Sequence, residues 1–99
     1  MFVFEDLAEL DDRGMQVLLR EVPSGTLITA LKGAEPAIRE KIFANMSKRA
    51  ADMMRDDLEV KGPVRLSDVD AAQKEVLGIA RKLSDAGQLS LAASGDEFV

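Results

Sequence analysis

The chain has 99 residues, 18 acidic and 13 basic side chains, no histidine and no cysteine, for a net charge of −5. That length allows one small domain burying about 60–70% of the surface its unfolded chain exposes. Without Cys or His there are no disulfides, no thiol or imidazole catalysis and none of the usual zinc sites, while the acidic balance disfavours a phosphate backbone as partner.

Along the chain, helical punctuation recurs and no stretch alternates apolar with polar residues, so an all-α fold is expected: a bundle of about six helices, short ones first and a long one last. Asp11 or Asp12 caps a helix carrying Met15, Val17, Leu18, Leu19 and Val22, which Pro23 halts. Ser24 then caps a short helix bearing Leu27, Ile28 and Leu31, closed by Gly33 in left-handed geometry. Pro36 suits the first turn of the next helix, which holds Ile38, Ile42 and Phe43.

Asn45 or Ser47 opens a charged helix through Glu59. At about 100° per residue it places Met46, Ala50, Met53, Met54 and Leu58 on one side and Lys48, Arg49, Asp52, Arg55, Asp56 and Glu59 on the other. Spaced pairs such as Arg49 with Asp52 and Arg55 with Glu59 would contribute roughly 0.2–0.5 kcal/mol each. Asp57 falls between Met53 and Ala50 on the apolar arc, in the last turn, where the helix dipole disfavours an anion. Its position leaves open an outward contact or an inward pairing with Arg65 or a helix-start amide.

Gly62-Pro63 ends this helix. After Val64-Arg65-Leu66, the run Ser67-Asp68-Val69-Asp70 offers a variant capping box for a long helix reaching Gly87. Its buried stripe is expected to be Val69, Ala72, Val76, Ile79, Ala80 and Leu83, with Gly78 permitting close packing at about 1 kcal/mol relative to alanine. The segment from Gln88 to Val99, with Leu89 and Leu91, is expected to add a short extended stretch.

Chemistry is sparsely signalled. Asp11-Asp12 and Asp68 with Asp70 sit at helix starts, where carboxylates cap. Asp56 and Asp57 point about 100° apart and would not readily share a proton or metal. The seven glycines are dispersed and form no phosphate loop. No enzymatic activity, cofactor or metal is expected. Apolar runs are too short for a membrane span, and the chain reads as soluble and intracellular. Cations from Lys32 to Lys61 and at Lys74, Arg81 and Lys82 keep a helical nucleic-acid-binding or regulatory module as the alternative.

Taken together, Met1-Phe2-Val3-Phe4-Glu5, Leu31-Lys32-Gly33-Ala34, Arg39-Glu40-Lys41, the run Asn45 to Ala51, Arg55-Asp56-Asp57-Leu58, Gly62-Pro63-Val64-Arg65 and the terminal Gly95 to Val99 resemble the C-terminal domain of the flagellar motor switch protein FliG. The resemblance covers essentially the whole chain. It implies a rotor domain at the cytoplasmic face of the bacterial inner membrane, in the switch ring of the flagellar basal body. There it would touch the cytoplasmic loop of the stator protein MotA, pass torque and take part in switching direction, beside the switch protein FliM and neighbouring FliG subunits. The stator-contact positions would be Lys32, Arg49, Asp56, Asp57 and Arg65. Met1, Phe2, Val3 and Phe4 resemble the family's M-F-x-F hinge, so residues 1–4 are expected to be a hinge and residues 5–99 a single helical domain, together a fragment of a longer protein. Gly14 stands where relatives often carry serine and is expected to loosen the first turn of its helix.

Overall fold

A 3-10 helix and five α-helices account for the regular structure of the computed structural model, which describes residues 3–89. They are η1 (Phe4–Glu9), α1 (Asp12–Glu21), α2 (Ser24–Lys32), α3 (Pro36–Ala44), α4 (Lys48–Lys61) and α5 (Leu66–Asp85). There is no strand among the described residues. The expected all-α bundle, with short helices preceding a 20-residue final one, is what the chain forms. Met1 and Phe2 of the expected hinge, and most of the expected extended C-terminal stretch including Leu91, lie outside the described residues.

Local chemistry explains most boundaries. Asp11 caps α1, its Oδ1 accepting from the Gly14 N–H at 2.7 Å. A Cβ at Gly14 would come within 2.9 Å of that same Oδ1, so this buried glycine leaves room for the cap carboxylate. Between Asn45 and Ser47 as openers of the charged helix, Ser47 is the cap: its Oγ accepts from the Ala50 N–H at 3.1 Å. Asn45 instead closes α3 and sends its side-chain amide to the Lys41 carbonyl and Asp12. Pro36 is in the first turn of α3, where its missing N–H leaves no bond unmade. Gly62 ends α4 at φ 73°. The long helix stops at Asp85, and Gly87 at φ 80° follows, with the Gln88 N–H bonded to the Leu83 carbonyl and the Gly87 N–H to that of Ser84. This double closure satisfies carbonyls the helix leaves orphaned.

Three expected caps differ. Ser24 is the first residue of α2, behind Pro23, and makes no capping bond. The long helix begins at Leu66, ahead of the Ser67 box, because Arg65 already has extended backbone and its carbonyl accepts the first helical bonds from Asp68 and Val69. Gly33 is not left-handed, with φ −106°. What it provides is clearance, since a Cβ there would lie 2.5 Å from Val69 Cγ1. The close packing anticipated at Gly78 therefore occurs at Gly33; Gly78 is exposed and has nothing within 4 Å of its Cβ position.

α2 lies at the centre, packed most extensively on α5 and also against α4, while η1 bridges α3 and α5. Leu7, Met15, Leu18, Leu31, Ile38, Ile42 and Val76 form the fully buried heart of the core. On α5 the stripe Val69, Ala72, Val76 and Ala80 is buried as expected, with Ile79 and Leu83 half-buried at its edge. Phe4 is also core, at 3% exposure inside η1, so the residue expected to end the hinge is fastened to the domain.

Candidate functional site

The ridge helix α4 is docked by a narrow seam. Only Ala51, Met54 and Leu58 are buried, at i, i+3 and i+7, with Met46 half-buried before the helix begins. The expected apolar side is thus rotated. Ala50 is exposed and Met53 is 59% exposed, because the helix packs against α2 and α3 with a buried seam of Ala51, Met54 and Leu58 and not with a broad apolar arc. This rotation also removes the anomaly of Asp57: the arc it interrupts faces solvent, and so does Asp57.

Two electrostatic groups result. One is paired internally: Arg55 reaches Glu40 of α3 at 3.6 Å and Asp52 at 3.7 Å, Lys48 reaches Asp52 at 3.5 Å, and the Arg55 guanidinium lies 4.6 Å from the centre of the Phe43 ring. The anticipated Arg49–Asp52 and Arg55–Glu59 pairs do not form, because Asp52 and Arg55 turn toward α3 and Lys48. The other group comprises Arg49, Asp56, Asp57 and Arg65, all exposed and none in an ion pair among the described residues. At about 100° per residue, Arg49 and Asp56 lie about 20° apart on the side opposite the buried seam, with Asp57 on the flank. Arg65 is the extended residue immediately before α5, and no bond joins it to Asp57.

Lys32 behaves differently from the other four expected positions. It is half-buried at the end of α2, and its Nζ donates to the Leu58 carbonyl at 3.2 Å. Leu58 supplies one of the last four carbonyls of α4, which have no intrahelical partner, so a cation there meets both the orphan acceptor and the negative end of the dipole. Lys32 thus holds α4 from beneath.

Arg39 repeats this device one step back. Its Nε and Nη2 donate to the Leu31 and Lys32 carbonyls at 2.9 and 3.4 Å, while Gln73 of α5 donates to the Ala30 carbonyl at 3.1 Å. A relay of side chains therefore runs from α3 through the end of α2 to the end of α4. Arg39 enters the sequence reading only as part of a resemblance motif and Gln73 not at all; a lone cation or amide on a polar face carries no signal of which carbonyl it will meet. A cleft of about 420 Å³ lies over this relay, between Lys32, Arg39, Phe43 and Arg55.

Elsewhere, Lys74 is paired with Asp70 at 3.1 Å and Lys41 with Asp12 at 3.4 Å. No group of metal-binding side chains occurs among the described residues, and no helix among them is long and apolar enough to cross a membrane.

A family model described as the FliG C-terminal domain matches residues 1–91. The chain is 61% identical over 97 residues to the flagellar motor switch protein FliG of Pseudomonas aeruginosa, covering 98% of this chain and 29% of that protein. Its identity to the FliG of Vibrio cholerae is 60% over 99 residues, 100% of this chain and 28% of that one. The fold superposes on a crystal structure of FliG from H. pylori with a TM-score of 0.90 at 32% identity, covering 92% of this chain and 40% of that chain. With full-length FliG from Aquifex aeolicus the TM-score is 0.85 at 45% identity, over 88% and 27% of the two chains. The chain spans under a third of the length of these curated relatives. Sequence, order of helices and backbone geometry agree along nearly the whole length, and the chain belongs to the FliG C-terminal domain family.

Proposed function

We propose that this domain is the stator-facing part of a bacterial flagellar rotor. It has a structural, non-enzymatic role: exposed charges on α4 and at the start of α5 engage the cytoplasmic loop of the stator protein MotA, and torque passes across that contact. The observation that carries this reading is the pair Arg49 and Asp56, opposite in sign, facing away from the body and spent on no partner among the described residues. Asp57 and Arg65 flank them as further handles. Lys32 contributes by steadying the end of α4 through the Leu58 carbonyl.

Energetics favour charges for such a duty. A contact formed and broken at each step must be weak, and an exposed ion pair contributes about 0–1 kcal/mol while acting over a Debye length of about 8 Å. Several of them steer approach and then release. Direction would change by turning the whole domain about the N-terminal segment, with Phe4 as its fixed end in the core and Met1, Phe2 and Val3 as the pivot. FliM and neighbouring copies of the switch protein complete the ring in which the domain would sit, at the cytoplasmic face of the inner membrane.

The test is charge reversal in the full-length switch protein. Arg49→Glu and Asp56→Lys should reduce swimming severely while circular dichroism and melting temperature stay within a degree or two of wild type, since both side chains are exposed and neither is in an ion pair among the described residues. Normal swimming after both reversals together would refute the assignment.

A further inference from the structure

Beyond its charges, the outward face of α4 has an apolar component. Met53 is 59% exposed and Val60 83% exposed. On the helix, Arg49, Met53, Asp56 and Val60 follow one another at intervals of four, three and four residues, which puts all four within an arc of about 60° opposite the buried seam. This is the spacing by which one helix meets another in a two-stranded coiled coil: Met53 and Val60 occupy one apolar register, and Arg49 and Asp56 the alternate register, one heptad apart.

We infer that this face is a three-turn seam for a partner α-helix, with Met53 as the knob that sets register and Arg49 and Asp56 as the charges that set direction. The inference rests on the proposed reading of α4 as a stator-contact helix and specifies its partner's chemistry. The partner helix presents an acid opposite Arg49 and a cation opposite Asp56, about 10.5 Å apart along its axis, at about 1.5 Å per residue over seven residues. Between them it offers a gap lined by small or aliphatic side chains that receives Met53.

Physical reasons favour a helix of this kind. Single exposed apolar side chains are ordinary on protein surfaces, but here two lie in line with two unpaired charges of opposite sign. Methionine tolerates imperfect and changing packing because its thioether chain is unbranched and polarizable, which suits a seat that must be found repeatedly. Charges in half of the seam positions weaken the pairing relative to an all-apolar zipper, and three turns are too short to persist. The same pattern is self-complementary in antiparallel orientation, Arg49 facing Asp56 of a second copy. Three helical turns bury far less than the roughly 1,200 Å² that stable association needs, so a partner held nearby by the assembly is the occupant favoured.

The experiment uses the full-length switch protein in motile cells, comparing Met53→Gln, Met53→Leu and Val60→Gln with Arg49→Glu and Asp56→Lys, and measuring swimming, motor torque and photo-cross-linking from positions 53 and 60. Met53→Gln should weaken engagement about tenfold, as expected for losing one buried apolar side chain, with unchanged melting, and Met53→Leu should restore it. Val60→Gln, at the more exposed position, repeats the test should position 53 affect stability. Cross-links should reach a helical segment of a stator chain. If both Gln variants swim normally while the charge reversals are crippled, the seam is overturned and the charge reading stands; if none of the variants matters, both fall. Cross-links only to a second copy of the switch protein would overturn the inference in favour of self-pairing.

Discussion

Replacing Gly33 with alanine probes the tightest joint in the fold. The new Cβ would lie 2.5 Å from Val69 Cγ1 and 3.5 Å from Gln73 Nε2. No atom pair of this kind sits at 2.5 Å, so something must move. Val69 cannot step aside cheaply: it is 8% exposed, and a β-branched side chain in a helix has one strongly preferred χ1, with about 0.5–1.5 kcal/mol needed to leave it. Overpacking of this sort costs about 1–3 kcal/mol. Against it stands a gain of about 0.4–1 kcal/mol, because the backbone at Gly33 is at φ −106° and alanine restricts the unfolded chain. The net expectation is destabilisation by about 1–2 kcal/mol, which for a domain of this size lowers Tm by about 5–15 °C. Urea and thermal unfolding followed by circular dichroism measure it. The diagnostic is the double variant with Val69→Ala, which should lose at least about 0.5 kcal/mol less than the sum of the singles, since the second change removes the methyl that the first strikes. A Gly33→Ala protein as stable as wild type, with additive double-variant energies, would refute the idea that α2 and α5 touch here without spare room. Because Lys32 is the next residue, the same variant should also disturb its bond to the Leu58 carbonyl, visible as faster amide exchange in the last turn of α4.

Further outcomes follow from individual contacts. Ser47→Ala removes the side-chain N-cap of the ridge helix and should destabilise by about 1 kcal/mol, recovered by Ser47→Asp, in the same unfolding assay. Lys32→Met keeps the aliphatic stem but leaves the Leu58 carbonyl without its cation; exchange in the last turn of α4 should quicken while the α5 core is unaffected. Arg55→Lys keeps the charge but loses planar stacking on Phe43 and the fork shared by Glu40 and Asp52; at a half-exposed site the loss should be at most about 1 kcal/mol, measured by urea unfolding.

Much of the fold could be read before any coordinates. Pro23, Pro36, Gly62-Pro63 and Gly87 each mark a helix boundary through a local restriction on φ or a missing N–H, which is why the boundaries agreed to within a residue or two. The stripe of α5 was legible because 20 residues of periodicity average out single exceptions. The 14 residues of α4 gave less: with three buried side chains its arc could be drawn around Met53 or around Ala51, and periodicity does not choose between them. Resemblance pointed to Lys32, Arg49, Asp56, Asp57 and Arg65 as candidates, but not to the difference between a lysine bonded beneath the helix and four charges outside it.

What the sequence determined alone was everything set by neighbours along the chain: the five α-helical segments, the breaks between them and the family of their order, but not the 3-10 helix Phe4–Glu9, whose residues read as hinge and domain start. Tertiary structure decided which way α4 rolls, which charges neutralise one another, and where a glycine is needed for clearance. Those outcomes depend on groups far apart in the chain, such as Gly33 with Val69, Lys32 with Leu58 and Arg55 with Glu40. A local pattern specifies that a helix has a polar side; only the body it leans on fixes which part of that side remains in water.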